Sequence, residues 1–333
     1  ATGTSSAVKL SGCFMAVYCS DRWPDMTGKL AEDNLVRLSP ASDSRSHGPS
    51  PSQGAAMAST TPEGLEIRPR HLDFDLPDPM PRHWHSGDAF KTHMFNAMSV
   101  LFPDGERFFI DSVRHYRERV EDPALKQQIR GFIGQEGHHS REHLVYSDRL
   151  RALGYDIDRL EGGAKRRIRF AQQKLHPSRQ LAATAALEHL TAIMADGLLS
   201  NPRWLEGADP TMARLWRWHA LEETEHKAVA YDVFMLVNGK ARLRRRAMVQ
   251  GTFFFALDTT KGLVHMLKRD GLLWNFKVWR DGIKWLWGKD GVFRSLVGVY
   301  LDFYKKDFHP WQHNNLHLIE QYRDQFEPEP KAA

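Results

Sequence analysis

From Gly87 onward apolar residues recur at three- and four-residue steps, beginning with Phe90, Met94, Ala97, Met98 and Leu101. Such positions share one face of a helix, so the period predicts helices. Pro103-Asp104-Gly105 interrupts the series, and a second helical pattern runs from about residue 104 to 120. Asp122-Pro123 opens the next helix, because Asp caps free amides and Pro suits the first helical position. That helix runs to about Gly154, and a polar helix follows near 159–175. His176-Pro177 stops it, and Ser178 is the expected cap of an apolar helix reaching Leu199. After Asn201-Pro202, Asp209-Pro210 opens one long helix to Asn238-Gly239. No alternating pattern of useful length occurs, so the expected fold class is all-α.

The ends of the chain read differently. Residues 1–60 are rich in Ser, Gly and Pro, as in Gly48-Pro49-Ser50-Pro51-Ser52. Such a segment buries too little apolar surface to offset its ordering entropy, so disorder is expected there. Met57 begins a more ordinary sequence and is a candidate natural start. The helical domain is placed at 70–322, its portion from about 240 to 312 being an aromatic-rich helical extension. Residues 323–333, rich in Pro, Glu and Lys, read as a loose tail.

Composition adds constraints more than identity. The 333 residues are 41% apolar and 26% charged, as expected of a globular chain with a sizeable core. A formal net charge of +5 is modest for that length, and nucleic acid is not an expected partner. The run Arg242, Arg244, Arg245, Arg246 reads as a solvated helix face, with contact to an anionic lipid or substrate as the alternative. The only cysteines are Cys13 and Cys19, which excludes a disulfide framework or thiolate metal site elsewhere and fits a cytoplasmic location. No apolar run approaches the roughly 20 residues of a membrane-spanning helix.

The chemistry concentrates in two Glu-x-x-His motifs, Glu136-Gly137-His138-His139 and Glu223-Thr224-Glu225-His226. On a helix each motif offers a carboxylate and an imidazole to one point. Glu136 and Glu223 each lie 14 residues after their Asp-Pro opening, Asp122 and Asp209. Glu106 lies 16 residues before Asp122, and Glu188 lies 13 before Asn201. In an antiparallel hairpin equal distances from the turn mean equal heights, about 21 Å along the axis at 1.5 Å per residue. Two such hairpins would bring Glu106, Glu136, His139, Glu188, Glu223 and His226 to one level. One Glu from each of two helices plus Glu-x-x-His from each of the others is the ligand set of dinuclear ferritin-like sites.

Electrostatics favour metal at that level. Four carboxylates in an apolar core repel one another and are costly to desolvate, whereas two divalent cations neutralise them. Glu188 sits among Ala185, Ala186, Leu187 and Leu190, with no polar face to claim it. Oxygen and imidazole ligands suit iron, with manganese and zinc as alternatives. Gln135 and Glu222, which precede the ligands, are candidates to orient the histidines. His219, one turn before Glu223, is a candidate seventh ligand; His143, one turn after His139, reads more readily as a core histidine. His83, His85, His309 and His313 read as structural or surface groups.

The chain from about Arg70 to Tyr322 resembles a bacterial family of predicted metal-dependent hydrolases assigned to the ferritin-like superfamily. The matching stretches are Phe102-Pro103-Asp104-Gly105-Glu106-Arg107-Phe108-Phe109, Phe132-Ile133-Gly134-Gln135-Glu136-Gly137-His138-His139, Leu187-Glu188-His189, His219-Ala220-Leu221-Glu222-Glu223-Thr224-Glu225-His226-Lys227 and Phe308-His309-Pro310-Trp311. The resemblance implies a ferritin-like four-helix bundle with a dinuclear metal site, additional C-terminal helices and hydrolytic activity. The spacing of His219, Glu223 and His226 is also similar to that of di-iron arylamine N-oxygenases, which implies His219 as a third histidine ligand.

Three function classes follow. An all-Glu/His pair in a dry bundle suits an oxygen-activating oxidase or oxygenase, the leading expectation. A hydrolase, in which two metals polarise the substrate and acidify a water, is the alternative. Non-catalytic storage or electron transfer is the third. The expected partner is a small-molecule substrate, apolar in one reading, and a homo-oligomer is compatible with the sequence. Trp274, Trp279, Trp285 and Trp287 alternate with Lys277, Arg280, Lys284 and Lys289, a pattern either for packing on the bundle or for peripheral membrane contact.

Overall fold

The computed structural model describes residues 61, 62 and 64–327. The expected disorder of 1–60 and most of the tail lie outside them. Among the described residues there are helices, turns and a single bridge, His85 to Ala208, so the chain is an all-α bundle.

Four helices carry the candidate ligands. They are α2 (Phe102–Arg114), α3 (Pro123–Ala152), α5 (Pro177–Ser200) and α6 (Pro210–His226), which follow α1 (Ala89–Ser99) and flank α4 (Ile157–Lys174). α2 pairs most extensively with α3, and α5 with α6, so each hairpin expected from the spacing is present. Asp122 accepts from the Ala124 amide at 3.0 Å, and Asp209 from Thr211 and Met212 at 2.9 and 3.1 Å. These caps satisfy amides that the first turn leaves unpaired.

Several boundaries differ from the sequence reading. α1 stops at Ser99, and Pro103 falls inside the first turn of α2, where its missing amide costs nothing. The α5 cap is His176, whose Nδ1 accepts from the Ser178 amide at 3.2 Å, rather than Ser178. Pro177 holds the first helical position, so the capping residue has to precede it. The long helix expected from Pro210 to residue 238 is divided into α6 and α7 (Val229–Val237). Lys227, at the division, reaches away to the His313 carbonyl at 2.8 Å and Asn315 Oδ1 at 2.7 Å.

The extension forms α8 (Ala241–Arg269), α9 (Phe276–Trp287), α10 (Val297–Asp302) and α11 (Leu316–Arg323). α8 lies on α1 and α5, α9 on α1, and α11 on α6. Arg244 departs from the solvated face expected of its run. It is buried and donates to the Phe303 and Lys305 carbonyls at 2.6 Å each, because the returning chain crosses that turn of α8. Two apolar clusters fill the core. One holds Phe95, Tyr146, Trp216, Trp218 and Met266; the other holds Phe108, Ile129, Phe132, Leu181 and Phe234. Along α3 and α6 the ligand positions fall between them.

Before α1 the chain runs in irregular form, and residues 67–70 lie along α3. Two glycines permit that approach. A Cβ on Gly131 would collide with the Ile67 carbonyl, and one on Gly134 with the Pro69 ring. Only hydrogen at both positions lets this strap close over the helix.

Candidate metal centre

The four helices bring all six expected ligands and His219 into one buried cluster. Glu136 sits within 4.8 Å of Glu106 and His139, and again within 4.8 Å of Glu223 and His226. His219 joins His139 and Glu223 at the same spacing. His226 Nε2 lies 3.2 Å from Glu136, 3.4 Å from Glu188 and 3.7 Å from Glu223. His139 Nδ1 lies 3.8 Å from Glu136 and 3.6 Å from Glu223. Two overlapping groups result, with Glu136 and Glu223 common to both.

The cluster contains atoms that no protein group satisfies. Glu106 Oε1, both oxygens of Glu136, both of Glu188, His139 Nδ1 and His226 Nε2 are buried without a hydrogen-bond partner. Buried polar atoms are rarely left so, because each costs a desolvation penalty. Seven of them converging from four helices fit cations, for which oxygen and imidazole nitrogen are the natural donors. Two more carboxylate atoms are held by neighbours: Ser140 donates to Glu106 Oε2 at 2.9 Å, and Thr191 to Glu223 Oε2 at 2.5 Å.

The local fields agree. Burial pushes Glu106 and Glu188 well above the ordinary carboxylate range, and the charge of Glu136 adds to it. Burial opposes charge on His139, but the neighbouring carboxylates of Glu136 and Glu222 outweigh it and lift the ring to about 10. Burial likewise opposes charge on His226, and Glu223, foremost among its carboxylate neighbours, raises it well above the usual range. Burial opposes ionisation of Glu223, yet the His226 charge and a hydrogen bond from His219 hold it well below.

Each histidine has a partner on its outer nitrogen. His139 Nε2 pairs with Glu222 at 3.1 Å, and His226 Nδ1 with Gln135 Oε1 at 2.9 Å. Glu222 and Gln135 are the two residues that precede the expected ligands Glu223 and Glu136 in the chain. His219 turns Nε2 to Glu223 Oε1 at 3.0 Å and Nδ1 to His143 Nε2 at 2.6 Å. His143 continues to Ser99 Oγ at 2.8 Å. His143 therefore occupies for His219 the place that Gln135 occupies for His226. Such partners fix the tautomer and ring plane of a ligating imidazole. His139 and His219 also stack, with ring centres 4.2 Å apart and planes 17° apart.

One arginine, not singled out in the sequence, joins two of these outer partners. Arg70, on the strap, donates from its amide to Glu222 at 3.1 Å and from Nη1 at 3.2 Å. The same guanidinium grips Glu225 with bonds of 2.8 and 2.7 Å. Glu225 accepts from Gln135 Nε2 at 2.7 Å, completing the link to His226. Glu225 lies between two named ligand positions on α6, which was its only sequence signal; Arg70 had none. The other histidines named in the sequence analysis, His83, His85, His309 and His313, bond to Asp270, the Trp204 carbonyl, Asp232 and Asp196 respectively.

The class that this fold and site define is a helical protein with a buried carboxylate–histidine cluster suited to metal. A family model, predicted metal-dependent hydrolase, matches residues 68–314, and the chain belongs to that family. No curated protein and no solved structure matches the chain.

Proposed function

We propose that this chain is a metal-dependent hydrolase of small molecules built on a ferritin-like dinuclear site. Glu106, Glu136, His139 and His219 would hold one divalent ion, and Glu188, Glu223 and His226 the other. The observation that carries the metal pair is the set of seven unpartnered buried donor atoms on four helices. The family match favours hydrolysis as the use made of it. When bound, two divalent ions polarise a substrate oxygen and acidify a water. The chain's own work is to hold, orient and dry the site. Ser140 and Thr191 fix one oxygen each of Glu106 and Glu223. Glu222, Gln135 and His143 fix the three imidazoles. Phe132 and Trp218 set ring edges or faces against His226 and His139 at 5.0 and 4.9 Å and keep water from their flanks.

A second reading, oxygen activation at a di-iron pair, is favoured by the burial of the site and by a donor set of Glu and His alone. Metal analysis of purified protein, followed by reconstitution with zinc, manganese or ferrous iron, separates the two. Hydrolysis of an ester or phosphoester by the zinc or manganese form, lost in Glu188→Ala together with its metal, is the expected result. Oxygen consumption by the ferrous form, with no hydrolysis by any form, would replace the hydrolase reading by the oxygenase. Wild-type metal content in Glu188→Ala would remove the site itself.

A further inference from the structure

α9 has two faces that the fold treats in opposite ways. Its inner face is fixed on α1. Gly282 lies against the Phe90 ring, Trp279 meets that ring at 5.7 Å, and Leu286 is buried. Its outer side carries Phe276, Ile283 and Trp287, which are 76, 52 and 52% exposed, and Trp274 just before the helix is 92% exposed. At 3.6 residues per turn, positions 276, 283 and 287 fall within about 40° of one another, so they form one stripe. Arg280, Lys284 and Lys277 follow on the adjoining arc. Asp281 is the one acid of α9, and Lys277 and Arg280 neutralise it at 3.1 and 2.8 Å. Lys284 and Lys289 have no carboxylate within ion-pair distance among the described residues.

We infer that this face of α9 is a peripheral docking surface for an anionic lipid bilayer. An apolar stripe with tryptophans, bordered by lysine and arginine on an otherwise anchored helix, is the arrangement that lies in a membrane interface. Tryptophan suits headgroup depth because its ring is apolar and its N–H is polar. The flanking cations meet acidic headgroups within a Debye length. Charge decides against a second copy as the occupant. A two-fold contact would set the same cationic arc against itself. No described helix is long and apolar enough to cross a membrane, so the contact is one of surface only.

Full-length protein with its metal bound is sedimented with vesicles of phosphatidylcholine, with and without phosphatidylserine, at low and high salt. Binding to the phosphatidylserine vesicles is expected, weakening about tenfold or more as salt rises. Brominated acyl chains should quench tryptophan emission. Trp274→Ala/Phe276→Ala/Trp287→Ala should abolish both binding and quenching while metal content and helicity stay at wild-type values. Arg280→Glu/Lys284→Glu should abolish the preference for phosphatidylserine with the apolar stripe intact. Absence of binding at low salt overturns the inference, as does undiminished binding by the triple variant. A dimer in sedimentation equilibrium that the triple variant dissociates also overturns it, since a second copy would then be the occupant. Metal content and hydrolysis in solution are read separately, so failure of the metal reading leaves this test standing.

Discussion

Arg70 is the residue on which both halves of the centre converge. Its guanidinium holds Glu222, which orients His139, and Glu225, which orients Gln135 and through it His226. Arg70→Met is therefore expected to weaken metal binding by about 10–100-fold, the usual effect of removing an outer partner of a ligating histidine. It also leaves Glu222 and Glu225 buried without their cation, a loss of about 3–5 kcal/mol of stability. Competition with a chelator, run where the variant is still folded, checks the affinity; wild-type affinity would reduce Arg70 to a structural role. The grouping of the six expected ligand positions was legible in the sequence because helical spacing and hairpin length bring them to one height. Gln135 and Glu222 were legible as the residues preceding those ligands. Arg70 was not, because it lies on a segment without periodicity, and nothing local in a chain announces a partner 152 residues away.

At the scale of elements, capped starts and proline breaks made both ligand hairpins readable. The boundaries that went astray are those where a tertiary contact competes with the local pattern, as at Lys227, or where proline sits in a first turn, as at Pro103. The strap of residues 67–70 was invisible for a related reason: its place on α3 depends on what Gly131 and Gly134 lack. That dependence gives a matched pair of substitutions in one helix. Gly131→Ala places a methyl against the Ile67 carbonyl, which is backbone and cannot swing aside. It should lift the strap, speed proteolysis near residue 68 and lower metal affinity with it. Gly137→Ala, exposed between two ligands with nothing within 4 Å of its Cβ, should instead raise stability by about 1 kcal/mol through helix propensity. Thermal unfolding and limited proteolysis of the two variants side by side test the contrast; equal effects would show that the strap does not need the glycine.

For the whole molecule the question is what ties the extension to the bundle, and Asp270 supplies one answer. It caps the end of α8 and accepts from four groups on other elements: Arg82 at 2.7 Å, Tyr155 at 2.9 Å, His83 at 2.7 Å and His93 at 2.8 Å. Its side chain is only 1% exposed. Asn96 fixes the proton arrangement. Its Oδ1 takes Trp84 Nε1 and Tyr146 OH, so its amide nitrogen faces His93 Nδ1 at 3.3 Å. His93 therefore carries its proton on Nε2 and donates to Asp270. Burial opposes ionisation of Asp270, but the hydrogen bonds from His93, His83 and Tyr155 hold its carboxyl well below the ordinary range. Burial outweighs Asp270 at His93 and lowers that ring. Asp270→Asn should cost about 3 kcal/mol at pH 7, because donors lose a buried charged acceptor. The pH dependence follows from the signs. A depressed carboxyl contributes stability above its unfolded value near 3.9 and loses it as pH falls through the folded value. The gap between wild type and variant should thus close below about pH 4. Between about pH 6.5 and 4 the unfolded chain protonates His93 more readily than the native state does. That penalty is larger without Asp270 nearby to support the charge, so the gap at pH 5 should be no smaller than at pH 7. Denaturant titrations of both proteins at pH 7, 5 and 3 check this; a gap unchanged at pH 3 would mean that Asp270 does not titrate in the acid transition.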